Sequence, residues 1–109
     1  MAVTFDLKVL AEGQLPNSKT TLYTVPGGKT TIVKTILLVN SSAGSRNVNL
    51  YVKPGSTSRL ISPKNLSMLP GYSAEFEDNI SLEAADVIEG SADASASVDY
   101  TIYGVEKTP

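Results

Sequence analysis

The string Gly28-Lys29-Thr30 ends a phosphate-binding loop when a second glycine stands five residues earlier and a helix opens after the threonine. Neither condition is met. Tyr23 occupies the earlier position, and Thr30 to Ile36 is dominated by β-branched side chains, which lose χ1 freedom in a helix and suit a pleated strand. The stretch reads as a strand fed by a Pro26-Gly27-Gly28 turn. Glu75, Glu77, Asp78, Glu83 and Asp86 form the densest acidic group, and carboxylate oxygens suit hard cations. Their spacing lacks the Asp/Asn, Gly, Glu order of a calcium loop, so a solvated strand face accounts for them. A glycosidase needs two carboxyls at fixed separation in a deep cleft, which short strands in a small domain rarely build. The chain has no cysteine and no histidine, which removes thiol nucleophiles, Cys/His zinc sites and imidazole-based dyads. No catalytic residue, metal ligand or cofactor is therefore assigned, and a non-enzymatic protein is expected.

The five tyrosines, Tyr23, Tyr51, Tyr72, Tyr100 and Tyr103, are the remaining candidates for recognition. Aromatic faces on a β scaffold stack on sugars, and they also pack at protein interfaces with the hydroxyl left wet. With no tryptophan and no cluster visible along the chain, core or interface is preferred. A glycan is kept as the alternative ligand.

Alternation dominates the elements that must carry these residues. In VTFDLKVL the apolar Val3, Phe5, Leu7 and Val9 share one face and Thr4, Asp6 and Lys8 the other, the period of a half-buried strand. Short strands follow at 20–25 and 48–52, and longer ones at 30–39 and 96–105. The segment 36–39 is apolar on both faces, as in a central strand. Further short strands are expected at 59–61, 72–77, 80–84 and 86–91, with polar turns at 40–47 and 54–58. LEAADVIEGSADASA carries some helix-friendly Ala and Glu, but its Gly, Ser and β-branched content opposes a stable helix. Turn signals between short alternating strands predict one all-β sandwich over residues 1–109, with about eight or nine strands. Its connections are jelly-roll or immunoglobulin-like, and the two long strands lie in the middle. Residues 1–12 form the N-terminal strand, which either pairs within its own sheet or reaches to a neighbouring copy as an arm.

At 109 residues the chain has the size of one domain able to bury roughly two-thirds of its unfolded surface. No apolar run approaches a membrane span, and MAVTFDLKVL lacks the basic start and long apolar stretch of a secretory signal. The expectation is a chain that stays in the cytoplasm where it is made, or leaves by a route other than secretion, with no membrane partner. The net charge of −2 hides a split: residues 1–64 carry eight Lys/Arg against two acids, and residues 65–109 one lysine against nine acids. The basic residues are scattered singly among apolar ones, so no nucleic-acid tract is expected. Interleaving of the two halves in one fold would offset their charges; segregation to opposite faces would instead favour association between copies.

The stretch GQLPNSKTTLYTVPGGKTTIVKTILLVNSSAGSRNVNLYV resembles a group of small bacteriophage structural proteins. These share a strand and turn like Thr-Leu-Tyr-Thr-Val-Pro-Ala-Gly-Lys-Thr, an apolar strand ending in Asn, and a Val-x-Leu-Tyr-Val strand. The likeness continues to a last strand ending in Gly-Val-Glu and spans about residues 13–107. Gly27 replaces the usual Ala, and Ala85 replaces the usual Gly of a Leu-x-Ala-Gly-Asp turn. The resemblance implies a virion component on a β-sandwich and supplies no catalytic motif. It implies copies of the chain itself and other virion proteins, such as a major capsid or tail protein, as partners. A capsid decoration (cement) protein is the first reading. A tail, baseplate or fibre-attachment subunit and a carbohydrate-binding adhesion module are the alternatives. From exposure, the N-terminal strand, the 40–47 turn and the 54–59 loop are the expected contact regions, with Phe5, Leu7, Arg46, Tyr51, Arg59 and Tyr103 as candidate protein contacts.

Overall fold

The computed structural model describes residues 3–77 and 79–109; Asp78 of the acidic group and the first two residues of the N-terminal strand lie outside the described residues. Among those described, ten strands form in chain order: β1 (Thr4–Gln14), β2 (Thr20–Thr24), β3 (Thr30–Asn40), β4 (Arg46–Lys53), β5 (Arg59–Leu60), β6 (Leu66–Met68), β7 (Ser73–Phe76), β8 (Ile80–Leu82), β9 (Val87–Ala92) and β10 (Val98–Thr108). Every pairing is antiparallel. One sheet runs β1-β10-β3 and ends on β7 and β8, both paired to β3; the other runs β2-β9-β4 and ends on β5 and β6, both paired to β4.

This order settles the connectivity. With β5 and β6 taken as one interrupted strand, and β7 and β8 as another, the positions pair first with last: β1 with β10, β2 with β9, β3 with β7/β8, β4 with β5/β6. The chain is thus one long antiparallel hairpin, rolled up until β3 also meets β10 and β4 meets β9. That wind is a jelly roll and not the immunoglobulin order. The strand β6 was not expected from the sequence, and with it the count rises to ten.

Period-two alternation fills the space between the sheets. Ile36 and Leu38 of β3, Val98 and Ile102 of β10, Val48 and Leu50 of β4 and Ile88 of β9 point inward and are fully buried. Leu15 and Val25, in the links flanking β2, close the core. Both long strands are central in one sheet, as expected. In each sheet a strand from the acidic half, β10 or β9, lies between two from the basic half, so the two halves interleave.

Tight turns join these strands. Lys29 N–H reaches the Pro26 carbonyl (3.2 Å) and Tyr72 N–H the Leu69 carbonyl (3.1 Å); Gly28 and Gly71, at the third turn position, have φ 76° and 77°. A type II turn requires that positive φ. The turn Glu83–Asp86 has the same closure (Asp86 N–H to Glu83 carbonyl, 3.0 Å), but its third residue is Ala85 at φ 73°. A Cβ in that conformation costs about 1–2 kcal/mol, which glycine would relieve at some cost in unfolded-chain entropy. Ala85→Gly is therefore expected to raise stability by about 0.5–1 kcal/mol, measured as an upward shift of the urea midpoint at unchanged slope.

Candidate functional site

The assembly of groups that most resembles chemistry sits where β1, β2, β3 and β10 meet. Glu106 faces inward from β10 with its side chain only 4% exposed. Its Oε2 accepts the Tyr23 hydroxyl (2.9 Å), which also bonds Thr31 Oγ1 (2.9 Å), and its Oε1 lies 2.7 Å from Lys8 Nζ and 3.5 Å from Lys29 Nζ. Lys8 is there because Thr4, Asp6 and Lys8 take the inner side of β1, and Lys29 because the Pro26 turn aims it across the end of the sandwich.

These contacts fix the protonation states. The Lys8 hydrogen bond holds Glu106 below its ordinary value of 4.5, against the opposing effect of burial, and the same bond raises Lys8. Burial, before any other cause, pushes Tyr23 up to about 12. A carboxylate held ionised and a phenol held neutral leave no group poised to exchange a proton near neutral pH. The cluster fastens the sheets together at this end. Because the folded pKa of Glu106 is depressed, its stabilisation is present above the unfolded value and is lost as pH falls through the folded one. Tyr23, with a raised folded value, loses its share as pH rises above 10 toward about 12. Glu106→Gln is expected to cost about 2 kcal/mol at pH 7, the scale of hydrogen bonds to a charged group beside a partly solvated lysine. The loss should be smaller at pH 3, as urea unfolding at both values would measure.

Elsewhere, a groove of about 520 Å³ opens between β3, β8 and Pro54, with Glu83 and Asp86 on its wall. Asp86 is already occupied: Oδ1 accepts Gly55 N–H (3.3 Å) and Oδ2 accepts Glu83 N–H (2.9 Å). Among the described residues no three acidic groups gather as a cation site, and no helix is long and apolar enough to cross a membrane. Glu75 and Glu77 are exposed at and beside β7.

The surface with an unusual composition is the outer face of the β1 sheet. Phe5 is 64% exposed and Leu7 78%, with Val3 and Val9 about half exposed. The sequence reading of a half-buried strand is corrected here: among the described residues nothing covers the apolar side chains of residues 3–9, because they face outward, away from the opposite sheet. Register extends the patch. Leu7 lies beside Val105, Val105 beside Ile32, and Val9 beside Tyr103. Ile32 and Tyr103 are 39% and 38% exposed. An apolar patch of this continuity on a folded domain marks an interaction surface.

Of the six candidate contacts, three meet here: Phe5, Leu7 and Tyr103. Arg46 is half-buried at the start of β4 and donates to the Ser45 carbonyl (2.9 Å). Tyr51 and Arg59 belong to the other sheet, where Lys19 Nζ sits 4.9 Å from the Tyr51 ring centroid and Arg59 lies on the short edge strand β5. Tyr51 and Tyr103 are thus on different sheets and do not share one face as a sugar-stacking platform. Ile32 and Val105 were not foreseen, since each reads as an ordinary strand position until the register places it beside Leu7.

No family model matches the chain, and no curated protein matches it. Among solved structures, a chain of infectious bursal disease virus, Gx strain, aligns over 98% of this chain and 33% of its own length, at 12% identity and a TM-score of 0.52. The present chain therefore spans about a third of that one, and at this identity the likeness is one of fold. A pentameric capsid protein isolated from metagenomic phage sequences aligns over 90% of this chain and 59% of its own, at 16% identity and a TM-score of 0.42. A second structure of such a protein aligns with a TM-score of 0.35. Both superpositions are too loose to carry an argument.

Proposed function

We propose that the chain is a non-enzymatic structural subunit of a bacteriophage virion, acting as a homo-oligomeric decoration protein on the outside of the head. The observation that carries this reading is the uncovered apolar face of β1, set on a rigid sandwich whose buried ionisable groups serve packing. This jelly roll packs its core without disulfides, and such folds recur in capsid subunits. The resemblance of the Thr20–Thr30 strand and turn to small phage structural proteins supports the same reading. Surface adhesion in many copies needs complementary faces and no chemistry, which agrees with a sequence lacking histidine and cysteine.

Imaging of purified particles, made with and without the gene, tests it. Intact heads are expected in both, with regularly spaced outer density present only when the protein is made. Density confined to the tail would replace decoration with the tail-subunit reading. Absence of the protein from purified virions would overturn the structural role itself.

A further inference from the structure

Three of the four sheet edges are blunted. The β7/β8 edge is broken into pieces of four and three residues, the β5/β6 edge into pieces of two and three, and β2 is five residues long with a bulge. Short and bulged edges are the usual defences against pairing with another chain. The fourth edge, β1, is eleven residues long, contains no proline, and stays regular from Thr4 to Val9, where a bulge at Leu10 ends the straight run. Among the described residues, no strand pairs with its outer row of backbone groups.

From this edge we infer that two copies of the chain pair through β1, antiparallel about a two-fold axis at Leu7, joining their sheets into one continuous sheet. Charge selects this register. With Leu7 facing Leu7 of the second copy, Asp6 faces Lys8 and Lys8 faces Asp6, while Phe5 and Val9 face each other on the apolar side. Sliding by one pairing step in either direction puts Asp6 against Asp6 or Lys8 against Lys8, and like charges directly opposite are destabilising. Sliding by a single residue would turn the apolar side chains of one copy against the polar ones of the other. A two-fold pair is self-complementary, so one strand supplies both halves of every contact. The apolar rows of the two copies become one band that includes Tyr103 and Val105.

The inference names the self-contact within the proposed assembly role, and it can fail separately from that role. The chain has no cysteine, so single cysteines report the register directly. Directly opposed residues have Cα atoms about 4.5–5.5 Å apart, within disulfide range. Leu7→Cys is expected to oxidise to a covalent dimer. Phe5→Cys and Val9→Cys should not crosslink to themselves, being about 13 Å from their own equivalents, but should crosslink when the two are mixed. In sedimentation of the full chain, Asp6→Lys is expected to weaken dimerisation about tenfold by placing a lysine against Lys8 of the second copy, and the loss should shrink at high salt, which screens exposed like charges. A chain that stays monomeric near 100 μM overturns the pairing. So does self-crosslinking of Phe5→Cys as fast as Leu7→Cys, or crosslinking only to a different virion protein. A monomeric chain still found on virions would remove the β1 pair and leave the virion role standing; a β1 dimer absent from virions would do the reverse.

Discussion

Replacing Asn40 by leucine is expected to lower stability by about 3–4 kcal/mol, a large share of the roughly 5–15 kcal/mol that holds a domain folded. Asn40 is completely buried at the end of β3. Its Nδ2 donates to the Gly44 and Met68 carbonyls, both at 2.9 Å, and its Oδ1 accepts the Ser42 N–H (3.0 Å) and hydroxyl (2.7 Å). Its backbone is engaged as well, with N–H to the Tyr72 carbonyl (2.9 Å) and its carbonyl accepting Gly71 N–H (2.8 Å). One side chain therefore ties β3 to the 41–45 loop and to β6, across to the opposite sheet. Leucine has the same branched heavy-atom skeleton but is larger and offers no donor or acceptor, so the buried Met68 carbonyl and the part-buried Gly44 carbonyl and Ser42 N–H lose their partner. Each such loss costs about 1–3 kcal/mol, offset where the loop can reach water. Asn40→Asp should also destabilise, because a carboxylate cannot donate to the two carbonyls. Urea unfolding of the three proteins measures this. A loss below 1 kcal/mol for leucine would mean that the loop rehydrates freely and the amide is not the fastening.

Gly104→Ala is expected to cost about 3 kcal/mol or more, at the upper end of overpacking effects. A Cβ at Gly104 would collide with the Ile32 carbonyl oxygen and lie 2.8 Å from Leu10 Cδ1 and 3.1 Å from Val33 Cα. Leu10 can turn away, but the other two are backbone of the neighbouring strand. Relief therefore requires β10 to move from β3 at the bulge between Tyr103 and Gly104, in the middle of the sheet. At a minimum of about 4 °C per kcal/mol for a chain of this size, the melting temperature should fall by about 12 °C. Gly27→Ala is the control, since nothing lies within 4 Å of its added Cβ, and it should shift the melt by little. Equal behaviour of the two variants would show that the β3–β10 contact is looser than the packing describes.

The Gly-Val-Glu ending of the last strand thus joins two structural demands. Gly104 lets β10 approach β3, and Glu106 fastens Tyr23, Lys8 and Lys29 at the open end of the sandwich. The motif was legible as a string. Its reason was not, because Ile32 and Lys8 are distant in sequence and arrive at Gly104 and Glu106 only through the register.

What the sequence determined by itself was local and periodic. Alternation in 48–52 and the double-sided apolar run at 36–39 predict inward and central positions, and Val48, Leu50, Ile36 and Leu38 occupy them. Pro70-Gly71 and Pro26-Gly27-Gly28 specify turns through the φ that glycine alone adopts at no cost, and those turns form. The absence of histidine and cysteine bounds the chemistry whatever the fold. The tertiary structure alone decided the jelly-roll order, the strand β6, the burial of Glu106 and the exposure of Phe5 and Leu7. The physical reason is that a period of two says which side chains share a face, and not whether another layer covers that face. Val48 and Phe5 carry the same pattern; one points toward the opposite sheet and the other away from it, on the outer face of its own sheet.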